Sequence, residues 1–317
     1  MKADYLRVSV TDRCNLRCVY CHPMGGCDLL QRKEILTLEE IHRIVRLFVE
    51  CGVRKVRLTG GEPLVRRNIV YLVEKLAAID GIDELTLTTN GVFLQSLASD
   101  LKNAGLKRVN VSVDSLENKS YKEVTGFDLL SKVTKGIHKA LKVGLSPVKI
   151  NSVIIRGINV SQILPLAKMS VRLPVAVRFI EYCPTSSYTK SAGDYVPTRQ
   201  VREIIESKFG PLSLVVAGAT DGPALNFKIK NAAGTLGFIS GRSSILCHSC
   251  NRLRLTSDGK IKPCLYSSQS YDIKKLIRAG ADDERVLKLL ETILSEKGNH
   301  TKLNSDAGEF HMQKIGG

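Results

Sequence analysis

From Tyr5 to about Phe179 the chain alternates short β-branched runs with helical ones, and this alternation limits the fold more than any other feature of its 317 residues. The strand-like runs are YLRVSV, VRKVRLT, DELTLTT, KRVNVSVD, PVKINSVII and PVAVRFIE. Helical periodicity between them is clearest after Thr37. There Thr37 and Glu40 form a capping box, and Leu38, Ile41, Ile44, Val45 and Phe48 share one face. A second helix carries Leu130, Val133, Ile137 and Leu141, and a weaker one follows GGEPLVRR. Six βα units in a row predict a parallel sheet, either doubly wound or barrel-like. The polar motifs TLTTNG, VNVSVDS and RFIEY end different strands, which favours an incomplete barrel with one mouth. The open sheet is the alternative.

After residue 184 the composition changes. SSYTKSAGDY reads as a loop, VPTRQVREIIESKFG as a helix, and GTLGFIS as part of a set of short strands. Two further helices and a polar tail ending KIGG close the chain. Residues 1–184 are therefore expected to form the barrel core, and 185–317 a smaller appended region. No apolar run approaches the length of a bilayer crossing, and MKADYLRVSVTDRC holds no signal core. A cytoplasmic location with no membrane partner is the expectation. The net charge of +16 predicts attraction to something anionic, a phosphate-rich small molecule, a nucleic acid or a membrane surface. Lys and Arg are spread through the elements rather than gathered in a tail. Aromatics make up only 5% and no RNA-binding module is attached, which counts against nucleic acid.

Nine cysteines, an odd number, argue against a disulfide framework and for metal or redox chemistry. Cys14, Cys18 and Cys21 form C-x3-C-x2-C directly after the first strand. Three thiolates hold three corners of a [4Fe–4S] cube and leave one iron open to a small molecule. A zinc knuckle completed by His22 is the competing reading. Cys247, Cys250 and Cys264 repeat the arrangement as C-x2-C-x13-C, with zinc and a remote His300 or His311 as its alternative. Within that span the extended run NRLRL puts Arg252 and Arg254 on one face, suited to an anion or a base edge. Cys51 reads as core, and Cys27 carries no assignable role.

The first triplet, with Tyr20 before its last cysteine, resembles the radical S-adenosylmethionine (SAM) superfamily. Gly60-Gly61-Glu62-Pro63, one βα unit later, is similar to that superfamily's GGEP motif. Paired glycines let backbone approach a ligand, and the Glu62 carboxylate is suited to the SAM ammonium. More closely, the chain resembles the MoaA family of GTP 3′,8-cyclases along nearly its whole length. The likeness runs through YLRVSVTDRCNLRCVYC, RLTGGEPLVRR, TTNG, VNVSVDS, NSVIIRGIN, VRFIEY, GFIS, CHSCNRLRLTSDGK and the final IGG.

That resemblance implies an incomplete (β/α)6 TIM-like barrel of the radical SAM type with a small C-terminal iron–sulfur region. It implies two [4Fe–4S] clusters, one on Cys14, Cys18 and Cys21 that cleaves SAM, the other on Cys247, Cys250 and Cys264 that binds guanine. Tyr20, Gly61 and Ser112 would contact SAM, with Cys183 standing where the family commonly has Met. Arg7, Arg57, Thr88, Lys149, Arg252 and Arg254 would hold GTP, and Arg178 would lie near SAM or substrate. Arg252 and Arg254, with Gly316 and Gly317 on a tail that enters the site, would take part in catalysis. The implied lyase reaction takes hydrogen from ribose C3′ with a 5′-deoxyadenosyl radical and closes the new carbon radical onto guanine C8. Its product, (8S)-3′,8-cyclo-7,8-dihydroguanosine 5′-triphosphate, begins molybdenum-cofactor (molybdopterin) biosynthesis and would pass to a cyclic pyranopterin monophosphate synthase. A reducing electron donor is required, and a homodimer is a further expectation. Two other readings compete: a radical SAM enzyme that modifies RNA or peptide, and a non-catalytic iron–sulfur carrier. Three ligands per cluster count against the carrier.

Overall fold

The structure is a computed structural model and describes residues 3–21, 29–183, 194–216, 218, 222–241, 250–297 and 315. Its first part runs β1 (Tyr5–Ser9), α1 (Leu38–Glu50), β2 (Lys55–Thr59), α2 (Ile69–Ala77), β3 (Glu84–Thr89), α3 (Leu94–Asn103) and β4 (Arg108–Ser112). It continues with α4 (Asn118–Thr125), α5 (Leu130–Lys142), β5 (Val148–Ile154), α6 (Ile163–Arg172) and β6 (Val175–Glu181). Each expected strand is present, and the Thr37 capping box closes as expected: Glu40 N donates to Thr37 Oγ1 at 3.1 Å, and Thr37 N to Glu40 Oε2 at 2.8 Å. The chain then forms α7 (Thr198–Phe209), β7 (Ser213–Val215), β8 (Leu225–Lys228), β9 (Thr235–Ile239) and β10 (Arg252–Leu255). Last come β11 (Lys260–Lys262), β12 (Tyr271–Asp272), α8 (Ile273–Arg278) and α9 (Asp283–Glu296).

All these strands make one sheet in the order β12-β11-β10-β1-β2-β3-β4-β5-β6-β9-β8-β7. The strands from β10 to β9 in that order are parallel, and antiparallel pairs flank them. The fold is the incomplete TIM-like barrel of the radical SAM type. The later part of the chain extends this sheet at both edges, β10 pairing with β1 and β9 with β6. Arg43 and Arg46 of α1 both reach Asp283 of α9, and Arg278 of α8 pairs with Glu40 of α1 at 2.7 Å. No helix among the described residues is long and apolar enough to cross a membrane.

The strands alternate in a way that decides the function. One face carries Leu6, Val8, Val56, Leu58, Leu85, Leu87, Val109, Val111, Val148, Ile150, Val177 and Phe179, each at most 2% exposed. These residues belong to one continuous core, each contributing about 1.5–3 kcal/mol by burial. The other face carries Arg7, Arg57, Thr86, Thr88, Arg108, Asn110, Lys149, Asn151, Arg178 and Arg254, brought side by side by the pairing. A TIM barrel normally fills this interior with branched apolar side chains. Here the interior is polar and basic, which suits a charged ligand and not a packed core.

Candidate active site

The first thiol loop leaves the carboxyl end of β1 and is fixed by α4 on one side and the loop after β2 on the other. Arg17 N and Val19 N donate to Thr125 O and Val124 O of α4, each at 2.9 Å. Gly61 N donates to Thr11 O at 2.7 Å and Glu62 N to Arg13 O at 2.8 Å, joining this loop to the one after β2. A Cβ on Gly61 would lie 2.3 Å from Arg13 O, and one on Gly60 2.6 Å from Thr11 O. The paired glycines are thus required by contact between the two loops.

Glu62 departs from expectation. Its carboxylate accepts from Leu64 N at 3.0 Å, Thr89 Oγ1 at 2.7 Å and Asn90 N at 2.6 Å, and it is 1% exposed. It braces the turns after β2 and β3 and is not turned out to receive an ammonium group. Burial raises it to about 7, against the pull of those hydrogen bonds.

Cys14, Cys18 and Cys21 are partly buried on this loop. Leu16 N donates to Cys14 Sγ at 3.4 Å, and Cys21 N to Cys18 O at 2.9 Å. Burial raises Cys14; burial, then the charges of Cys21, Asp114 and Cys14, raise Cys18 well above a free thiol. No three of His, Cys, Asp and Glu among the described residues stand converged on a metal position. The donor set is nevertheless soft and close enough for mutual repulsion, which a cationic iron cluster relieves. Three thiols gathered where thiolates are unfavourable alone fit that group.

Tyr20 Oη donates to Asp114 Oδ2 at 2.5 Å, so the expected SAM contact is first a tie from the thiol loop to the end of β4. Asp114 also accepts from Val153 N at 2.8 Å, and burial raises it to about 6 despite these bonds. Asn159 Nδ2 donates to Asp114 O at 3.0 Å and to Val153 O at 2.8 Å. Asp114, Asn159 and Asn90 were not singled out from sequence as functional, although VNVSVDS, NSVIIRGIN and TTNG contain them. Gly61 and Ser112 lie at the same carboxyl end of the strands, half-buried.

The polar face gathers the expected GTP residues. Arg254, Arg7 and Arg57 stand in one cross-strand row, and Asn110 lies between Thr88 and Lys149. Arg57 Nε donates to Thr86 Oγ1 at 3.2 Å. Asn110, with its amide oxygen turned to the guanidinium, accepts from Arg57 at 3.1–3.3 Å. Both Arg57 and Arg7 lie over the Tyr5 ring, at 5.3 and 5.9 Å from its centroid. Burial pulls Arg57 down to about 9; Tyr5 opposes this, while Arg7, Arg108 and Arg178 add to it. Burial, then Arg7 and Arg252, push Arg254 well below its usual range. Lys149 is 1% and Arg178 4% exposed, and Asn151 stands beside Arg178. Glu84 meets this crowd directly and pairs with Arg108. Such crowding disfavours the empty site and favours an anion within it.

The second thiol site lies at the opposite strand ends. Cys250 precedes β10, which runs parallel to β1, and Cys264 follows the antiparallel β11. Lys297, 4% exposed, donates to Pro263 O at 2.6 Å and to Cys250 Sγ at 3.9 Å. Burial raises Cys250, but Arg252 and Lys297 outweigh it and bring the thiol to about 7. Cys183 lies against Gly241, where an added Cβ would be 2.8 Å from its sulfur. Burial, then Cys183, raise the nearby Tyr266 hydroxyl. Cys247, Gly316, Gly317, Cys27 and the histidines weighed as zinc ligands lie outside the described residues. Ile315, next to the diglycine, is buried.

Comparison with known proteins identifies the family. A Radical SAM superfamily model matches residues 8–169, and a Molybdenum Cofactor Synthesis C model matches 175–303. A GTP 3′,8-cyclase from Pelotomaculum thermopropionicum is 47% identical over 316 residues, covering 99% of this chain and 97% of that protein. A GTP 3′,8-cyclase from Moorella thermoacetica is 45% identical over 315 residues, with 99% and 97% covered. Among solved structures, Streptococcus suis SuiB bound to S-adenosylmethionine aligns with TM-score 0.60 at 18% identity, over 89% of this chain and 66% of SuiB. That last likeness is one of fold.

Proposed function

The chain belongs to the GTP 3′,8-cyclase family of radical SAM enzymes, and from that membership we propose how its own residues divide the work. The enzyme converts GTP to (8S)-3′,8-cyclo-7,8-dihydroguanosine 5′-triphosphate in molybdenum-cofactor synthesis. It uses SAM and an iron–sulfur cluster. The observation that carries the assignment of residues is the basic interior face, with buried cations between two thiol sites at opposite ends of the strands.

Cys14, Cys18 and Cys21 hold the first [4Fe–4S] cluster, and Cys247, Cys250 and Cys264 a second. The first cluster, when bound and reduced, supplies the electron that turns SAM into a hydrogen-abstracting radical. Tyr20, Gly61 and Ser112 form the SAM side of the cavity, and Cys183, hydrogen-bonded to Tyr266, lines the cavity beyond them. Arg7, Arg57, Lys149, Arg252 and Arg254 hold GTP, with Thr88 beside them. The guanidinium groups match phosphate oxygens in pairs, and a buried setting strengthens each bond. Arg178 stands between the two regions.

These contacts fix the ribose so that C3′ faces the SAM side and C8 faces C3′, which makes ring closure intramolecular. Arg252 and Arg254, with the tail ending in Gly316 and Gly317, keep water from the cavity and donate hydrogen bonds as the guanine ring is reduced. The product leaves for a synthase that rearranges it, and an external reductant and a homodimer complete the working system. A face lined by so many cations favours a polyanion, which GTP is, over a neutral peptide.

The test is anaerobic reconstitution with iron, sulfide, SAM, reductant and GTP, followed by mass analysis. The expected product is an isomer of GTP with the same mass, told apart by its chromatographic retention and, with GTP deuterated at C3′, by deuterium carried into 5′-deoxyadenosine. SAM cleavage that leaves GTP unchanged would overturn the reading. Iron analysis is expected to give about eight irons per chain; zinc at the C-terminal thiols would remove the second cluster.

A further inference from the structure

The Asn90 side chain, in TTNG at the end of β3, has no part in the roles above, yet it touches a cluster-binding thiol. Asn90 Nδ2 lies 3.8 Å from Cys14 Sγ and 2.8 Å from Asn15 Oδ1. The orientation of the amide is not free. Its Oδ1 accepts from Val92 N at 3.1 Å, so the –NH2 group must face the thiol loop. Its backbone N–H is held at 2.6 Å by Glu62 Oε2, and the residue is 9% exposed. Glu62 in turn is bound by Leu64 and Thr89. The GGEP and TTNG turns therefore lock one amide donor beside the sulfur of Cys14.

We propose that Asn90 is a positioning residue for the first cluster, its Nδ2–H bonding the Cys14 sulfur and setting the ease with which that cluster is reduced. The inference rests on Cys14, Cys18 and Cys21 holding a cluster, as argued above. A hydrogen bond to a ligating sulfur draws charge from it and favours the reduced, more negative state. Leu16 N supplies one such bond from within the loop, and Asn90 supplies one from a different strand end. Because the same amide bonds Asn15, the donor also sets where the loop sits.

The test is an EPR-monitored redox titration of the full chain carrying Cys264→Ser, so that the first cluster alone contributes. Asn90→Asp keeps the oxygen that accepts from Val92 and removes the donor; Asn90→Leu removes both. Both are expected to shift the midpoint to more negative potential at unchanged iron content, leaving several-fold less cluster reduced at a fixed reductant potential. An unchanged midpoint with full iron content would overturn the inference.

If either variant loses iron, the unsubstituted side chain decides. Protein with 15N in its asparagine side-chain amides is expected to show a weak nitrogen coupling to the reduced cluster that survives Asn15→Asp. Absence of that coupling would overturn the inference as well. A Cys264→Ser chain that assembles no cluster at all would sink the reading beneath it, and this inference with it.

Discussion

The two thiol sites occupy opposite ends of the sheet, one after β1 and the other before β10 and after β11, and are built with opposite electrostatics. Around Cys18 the nearby groups are acidic or thiol, Asp114, Cys14 and Cys21, and with burial they raise it. Around Cys250 the neighbours are Arg252 and Lys297, and they bring the thiol down against burial. Between the sites lies roughly 15 Å of strand, the length of β1, with Arg7 and Arg57 along it. A negative setting disfavours adding an electron and a positive one favours it. A cluster held at the first site would therefore be the harder to reduce, and the second site is the better suited to an anionic ligand.

The largest expected effect separates the sites outright. Cys18→Ser should abolish both SAM cleavage and product, a loss beyond detection. Cys264→Ser should keep the first cluster and some SAM cleavage while making no cyclised product. Assays of 5′-deoxyadenosine and of cyclised nucleotide on the same samples check this, and equal loss of both activities in the two variants would break the comparison. Next in size is the basic face itself. Arg254→Met is expected to weaken GTP binding about 10- to 100-fold, the worth of a charged hydrogen bond or two. Glu84→Gln should instead destabilise the protein by about 3 kcal/mol, since it leaves Arg108 buried without its carboxylate. Calorimetric titration and denaturant unfolding read the two effects separately.

Much of this was legible before folding, and for definite reasons. The six strands from YLRVSV to PVAVRFIE follow period-two patterning, and Thr37 with Glu40 marks a helix start through local bonds alone. Both signals lie within a few residues of chain. The place of Arg252 and Arg254 was half legible: alternation puts them on one face, but only pairing sets Arg254 beside Arg7. Lys297 carried no signal at all. It is one lysine at the end of a helix, and its contact with Cys250 spans 47 residues of sequence. Glu62 was misread because sequence says that a carboxylate is present after paired glycines but not which way it faces. The bonds that turn it inward come from Thr89 and Asn90, on another strand.

Lys297 gives a smaller effect that bears on the second site alone. Its ammonium joins the Cys250 arm to the Pro263 carbonyl beside Cys264. Lys297→Met keeps the length of the stem and removes the charge. The C-terminal cluster is expected to become harder to reduce, with the first cluster unchanged as an internal control. EPR titration of the two signals checks this. A parallel shift of both would mean that Lys297 acts on the fold and not on its own site.

The smallest expected effect is on stability and tests the acidic side of the comparison. Glu62 has its carboxyl raised by burial to about 7, from an ordinary 4.5. The folded chain then holds a proton that the unfolded chain has released, so this residue's contribution is full below about pH 4.5 and is lost as pH rises through about 7. Complete loss of a shift this large amounts to about 3 kcal/mol, an upper bound because the ionised carboxylate still accepts its hydrogen bonds. Glu62→Gln cannot ionise, so its unfolding midpoint should decline less between pH 5 and 8, as those limits bracket the value of about 7. Asp114, raised to about 6, titrates in the same direction and should leave a residual slope in the variant. Its removal as Asp114→Asn would then flatten the profile further while freeing Tyr20 from its carboxylate partner. A slope identical in wild type and Glu62→Gln would show that the brace between the two turns stays ionised throughout. The first site would then be more negative than its burial suggests, and the contrast with the second site would be sharper still.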